Sequence, residues 1–252
     1  MRRSLILAVS AAVLITVGGF ASAPIQDPAV YASVLAADVR PQADRDRDAA
    51  RHTAEVLAFA QVGPDDKIGD MIIGGGFWTR VFAGIVANGS GEVIAWQPAE
   101  FVGFQASYAE AIAAADALDD VSGIQSPIGA PELPAGMDLI FTNQNYHDLH
   151  LRPFGTDTAE MVNAAVFAAL KPGGRYVIID HYARSGAGLG VADSLHRIDI
   201  ADVRREVEAA GFVLEAESDV LKNDTDPMTA NVFDASIRGH TSQFMLRFRK
   251  PA

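Results

Sequence analysis

The chain has no cysteine. That excludes disulfides, thiol nucleophiles, thiolate-bound metals and a lipid-modified N-terminal cysteine. Positive charge is also scarce: 20 Lys and Arg stand against 32 Asp and Glu, a formal net charge of −12. Such a surface repels a phosphate backbone and argues against nucleic acid as a partner. Internal repeats, low-complexity tracts and long apolar runs beyond Phe20 are absent. What is there is a chain of 252 residues, 49% apolar and 21% charged, enough for one buried core and no clear second domain.

The single long apolar run, residues 5–20, follows Arg2 and Arg3 and precedes Ala21-Ser22-Ala23. A basic start, a short apolar stretch and a small-x-small site together read as a secretory signal peptide over residues 1–23. Pro24 is awkward for processing at that point, so cleavage after Ala21 and an uncleaved anchor stay open. The expected address is periplasmic or secreted, free of the membrane once the segment is cut. The mature chain then carries a charge near −14, since both lost charges are arginines. Without disulfides it depends on its core for stability.

Residues 67–80 read K-I-G-D-M-I-I-G-G-G-F-W-T-R, and the rest of the chain is organised around them. An apolar run containing Asp70 meets Gly74, Gly75 and Gly76, after which Phe77, Trp78, Val81, Phe82 and Ile85 recur at helical spacing. This predicts strand, glycine turn and helix. Glycines there let a ligand approach the main chain, and the helix behind offers unpaired N–H groups. A plain strand-to-helix connection would use the same glycines without any ligand.

Upstream, residues 24–48 form an extension with a short helix around 30–37. Residues 44–60 read as one helix, broken by Gly63-Pro64. Downstream, strands are expected at 92–96, 121–128, 137–142 and 176–180, with helices at 99–118, 156–170 and 199–210. Two late strands, 212–221 and 243–249, flank a long polar loop. Alternation of strand and helix predicts a doubly wound, mainly parallel α/β sheet of seven strands, the last two pairing as an antiparallel edge.

With the glycine turn, the L-K-P-G-G of residues 170–174 and the A-G-F of 210–212 in place, residues 49–251 resemble the class I S-adenosylmethionine-dependent methyltransferases. The chain is more closely similar to a bacterial subgroup of methyltransferases. That subgroup carries G-G-G plus an aromatic, then N-Y-H-D and L-H-R-I-D, here at 74–77, 145–148 and 195–199. The resemblance implies a Rossmann-like fold and S-adenosylmethionine as cofactor. Its implied contacts are Asp70, Gly74, Gly75, Gly76, Gln97, Glu100 and Asn143. Three positions depart from the family pattern. Ile72 replaces the first motif glycine, and Gln97 replaces the acid that holds the ribose, with Glu100 as a possible substitute. Gly129 stands where an acid often meets adenine.

The family's acceptor pocket follows the fourth strand, where Asn143, Asn145, Tyr146, His147, Asp148 and His150 cluster. Asp180 and His181 close the fifth strand. Methyl transfer to oxygen or nitrogen needs a nearby base, a role suited to histidine. His147 or His181 is the expected base, Tyr146 the orienting group, and Asp148 or Asp180 the partner of the imidazole. Strand-end histidines can equally serve only the backbone. A metal reading pairs His147 with His150, aided by Asp148 or His181, but no zinc spacing supports it. His196, Arg197 and Asp199 are expected to cap a helix and pair internally, although Arg197 could hold an anionic substrate. In the late loop, Asp224, Asp226, Asp234 and Arg238 could close over a ligand.

The resulting expectation is methyl transfer to a small-molecule acceptor. The alternative is an exported binding module that kept the fold and lost the donor, since S-adenosylmethionine is made in the cytosol. A nicotinamide oxidoreductase is disfavoured, because G-G-G-F-W lacks the dinucleotide spacing and no acid ends the second strand.

Overall fold

The computed structural model describes residues 26–252; the signal peptide expected at 1–23 lies outside the described residues. Four short helices come first: α1 (Ala32–Leu35), α2 (Gln42–Arg45), α3 (Asp48–Arg51) and α4 (Thr53–Ala60). Next come β1 (Lys67–Met71), α5 (Phe77–Val86), β2 (Glu92–Pro98), α6 (Ala99–Phe104), α7 (Ser107–Asp116), β3 (Val121–Ser126) and β4 (Met137–Asn143). A 3-10 turn, Tyr146–His150, leads to α8 (Thr158–Ala169), β5 (Leu170–His181), α9 (Val191–Leu195), α10 (Ile200–Ala209), β6 (Val213–Ser218) and β7 (Gln243–Arg249). None of the described helices is long and apolar enough to cross a membrane.

The seven strands form one sheet in the order β3-β2-β1-β4-β5-β7-β6. Neighbours pair in parallel from β3 to β5, while β7 runs antiparallel to both β5 and β6. This is the mainly parallel doubly wound fold expected, with an antiparallel C-terminal pair. Both faces are covered, and the period of two along the strands sorts the side chains. Leu139, Phe141, Val177 and Ile179 join α4 and α5 in one apolar cluster. Ile140, Tyr176 and Ile178 join α8 and α10 in the other. Each large side chain so buried contributes about 1.5–3 kcal/mol.

Two expected helices are broken. The helix expected over 44–60 is interrupted at residues 46–47 and again at His52, which takes a left-handed conformation, φ 48°. The one expected over 99–118 divides at Gln105, which is extended at φ −151°. The N-terminal extension is docked on the sheet domain: Arg80 Nε lies 2.6 Å from Asp44, and Tyr31 donates to the Val62 carbonyl at 2.8 Å. The first break matters for the site, because Arg51 of α3 and Arg47, the residue just before it, then stand at the edge where β1, β4 and β5 end.

Candidate active site

The carboxyl ends of β1, β4 and β5 open on one cavity of about 470 Å³. That is the place and size expected of a ligand pocket in such a sheet. Its floor is the glycine turn. Gly74 adopts φ 54° and Gly76 φ 74°, and a Cβ added at Gly74 or Gly75 would meet nothing within 4 Å. The space above these two backbones is therefore open, as close approach of a ligand requires.

Ile72 takes the left-handed conformation that a glycine would normally supply, φ 58°. For a β-branched residue this is strained. Its side chain does not plug the cavity: it is 6% exposed and packs into the cluster of Trp96, Tyr146 and Leu149. Its N–H donates to the Trp96 carbonyl at 2.8 Å, which fixes the turn.

Several expected cofactor contacts are spent on the protein itself. Gln97 is fully buried, does not line the cavity, and accepts the Gly74 N–H at 3.2 Å, with its own Nε2 unpartnered. Glu100 accepts the Ile128 N–H at 3.0 Å rather than reaching toward a ribose. Gly129 faces Met161, away from the cavity. Asp70 does line it, yet is 3% exposed and accepts from Thr79 Oγ1 at 2.6 Å; burial raises its carboxyl to about 7. In place of acids this side offers rings: Phe101, Phe104 and Tyr108 line the cavity, as does Trp78. Trp96 is wholly buried against Ser126 and offers no stacking face. Arg47 and Arg51 stand over the Phe77 ring at 5.4 and 4.5 Å and form no ion pair among the described residues. Burial, then Arg47, lowers the Arg51 guanidinium to about 10.

On the opposite side, Asn143, Asn145, His147, Asp148, His181 and His196 all line the cavity. Asp180, at the end of β5, is fully buried and takes three donors: the His147 and His181 backbone N–H groups at 2.7 Å each, and His147 Nδ1 at 2.9 Å. It is a positioning group, not one that meets a ligand. Burial would raise its carboxyl, but His147 holds it below the usual range. His147 is the converse case. Burial works to lower it, yet Asp180 and then Asp148 outweigh burial and raise it to about 10. With no ion on Nε2, that imidazole keeps its proton and cannot take another; an ion there would displace the proton, and in neither state does the role of base fall to His147.

His181 lies the other way. Burial lowers it to about 4 despite Asp180, so it is neutral, with Thr241 Oγ1 2.8 Å from its Nδ1. Tyr146 does not orient anything in the cavity. It points into the core, donating to Glu206 at 3.0 Å and accepting from Asn163 at 2.8 Å. His150 is likewise turned to Glu206, at 3.0 Å, which removes it as a partner of His147 in a metal site.

His196, expected only as part of a helix cap, enters the cavity. It ends α9 at φ 52°, with its Nδ1 3.3 Å from His147 Nε2 and its ring against Phe233. Of its neighbours, Asp199 caps α10 through the Ala201 N–H at 2.9 Å. Arg197 is buried in a bidentate pair with Asp226 at 2.8 and 3.1 Å and is closed to substrate. The late loop reaches the cavity through Val232 and Phe233 rather than through its acids; Arg238 borders an adjoining space of about 320 Å³. Asp224 faces Lys222, and Asp234 holds Ser236.

No family model matches the chain, and no curated protein matches it. Solved structures do. One is a SAM-dependent methyltransferase from Aquifex aeolicus, at 17% identity over 89% of this chain and 99% of that one, TM-score 0.56. Another is an S-adenosylmethionine-dependent methyltransferase from Mesorhizobium loti, at 20% identity over 80% and 95%, TM-score 0.51. A third is the [4+2]-cyclase SpnF, at 17% identity over 84% of each chain, TM-score 0.60. At these identities the likeness establishes the class I methyltransferase fold, and a cyclase among the neighbours shows that the fold does not dictate one reaction.

Proposed function

We propose that the chain moves a methyl group from S-adenosylmethionine to a small-molecule acceptor, outside the cytosol. One observation carries this reading: open space over Gly74 and Gly75 shares a single cavity with the six polar side chains named above on the β4–β5 side. The glycine backbones, Phe101 and Tyr108 suit a nucleoside, and Arg51 suits the carboxylate of its methionine arm. When bound, S-adenosylmethionine supplies a methyl group on a sulfonium, open to in-line attack by a lone pair. The chain's own part is to exclude water and to aim the acceptor. Asn143 and Asn145 offer hydrogen bonds on the acceptor side, and neutral His181 offers a ring nitrogen to a departing proton.

Titration with S-adenosylhomocysteine, followed by thermal unfolding, tests the reading. At a hundred times its dissociation constant a ligand adds about 2.7 kcal/mol of stability, a shift readily seen. No shift at millimolar ligand would sink methyl transfer and leave the non-catalytic binding module. Fractionation of the expressing cells tests the address, and a wholly cytosolic product would remove the exported part of the proposal.

A further inference from the structure

We propose that the β4–β5 side of the cavity is a metal centre, in which His147 Nε2, Asp148 Oδ1 and His196 Nδ1 bind one divalent transition-metal ion of the zinc class. The three ligand atoms all lie within 4.8 Å of one another. His147 Nε2 is 3.3 Å from His196 Nδ1 and 3.2 Å from Asp148 Oδ1. Tetrahedral zinc with bonds of about 2.0–2.1 Å sets its ligands roughly 3.3 Å apart, so both of these edges fit such a polyhedron.

The atoms behind the ligands fit as well. Asp180 Oδ1 sits 2.9 Å from His147 Nδ1, which leaves Nε2 turned to the common point. A carboxylate behind a histidine ligand is the usual outer-shell arrangement, and it fixes both tautomer and ring. Asn145 Nδ2 donates to Asp148 Oδ2 at 3.0 Å, leaving Oδ1 for the ion. His196 is held in its left-handed conformation by its N–H bond to the Ala192 carbonyl at 3.1 Å, and Phe233 packs on its ring. Three protein ligands beside an open cavity describe a site with a coordination position free for an oxygen or nitrogen donor, unlike a closed structural site. Two imidazoles and one carboxylate favour zinc, iron(II) or cobalt over magnesium or calcium, and the chain has no thiolate to compete.

The inference concerns the protein alone and stands whether or not S-adenosylmethionine binds. Full-length mature protein, stripped with chelator and checked for fold by circular dichroism, is titrated calorimetrically with zinc and spectroscopically with cobalt(II). The expected result is one ion per chain with Kd below about 1 μM, and visible cobalt bands of a four-coordinate site. His196→Ala and the milder Asp148→Asn should each weaken binding at least tenfold, and Asp180→Asn by about 10–100-fold. The exposed His52 and His240, changed together to alanine, should leave affinity unchanged. Folded wild-type protein that takes up no ion overturns the proposal. So does affinity that survives in His196→Ala and Asp148→Asn but falls in the His52/His240 pair. The S-adenosylhomocysteine shift is read separately on stripped protein, so either result can fail without the other.

Discussion

On the β1–β2 side of the cavity the protein offers backbone and empty space; on the β4–β5 side it offers side chains. The first side is braced by hydrogen bonds outside any ion pair, from the Gly74 N–H to Gln97 and from Thr79 to Asp70, whose carboxyl burial raises to about 7. The second is braced by buried ion pairs, His147 with Asp180 and, behind His196, Arg197 with Asp226. Braces of this kind are worth about 1 kcal/mol and tolerate exchange. A buried ion pair that loses one partner leaves an unsolvated charge, and that is costly. The polar side of the site should therefore resist substitution far more than the glycine side.

The largest effect should come from Asp226→Ala, which strands the fully buried Arg197 guanidinium. A loss of about 3–5 kcal/mol is expected from denaturant unfolding. A loss under about 1 kcal/mol, the range of an exposed pair, would mean that the loop relaxes to let Arg197 reach water, and the two sides would no longer differ.

Next comes pH. Burial raises the folded-state pKa of Asp70 from 3.8 to about 7, so the unfolded chain releases its proton first. Between about pH 4 and 7 the folded state binds more protons than the unfolded one, and stability falls as pH rises through that window. The contribution is up to about 4 kcal/mol, complete above the folded value. Asp70→Asn should remove this fall, so the gap between variant and wild type widens from pH 4 to 7. Parallel curves would show that the carboxyl stays solvated.

The sequence was more legible on one side than the other for a physical reason. Strand positions and the two-faced core follow from near-continuous apolar runs such as 137–142, a signal that local sequence carries. Residues at strand ends fall on the ligand edge by topology, so Asn143, His147, Asp180 and His181 stand where the sequence puts them. Their roles depend on partners far away in sequence. Tyr146 is taken by Glu206, Glu100 by the Ile128 backbone, and Arg197 by Asp226, none of which a short motif reveals. His196 stands 49 residues from the ring it faces. Its signal is present in L-H-R-I-D, where a histidine follows a glycine-rich loop, but helix capping explains the segment equally well.

Gln97→Leu is expected to change stability by no more than about 1 kcal/mol. The Gly74 N–H loses an acceptor, while the unpartnered Nε2 amide leaves the interior, and the two changes oppose each other. The S-adenosylhomocysteine shift should survive, because Gln97 does not line the cavity. A lost shift would return Gln97 to the role of ribose ligand.

Gly75→Val should have the smallest effect on folding and the sharpest on binding. Gly75 has no positive φ, and an added Cβ there meets nothing within 4 Å, so valine fits with a change inside about 0.5 kcal/mol. The same branched side chain rises from the floor into the space where a donor must lie against the backbone. Unfolding should be unaltered while the thermal shift with S-adenosylhomocysteine disappears. Metal uptake, seated across the cavity on His147, Asp148 and His196, should persist in this variant. If the shift survives, the glycine side does not hold the donor, and the cavity's chemistry would rest on its polar side alone.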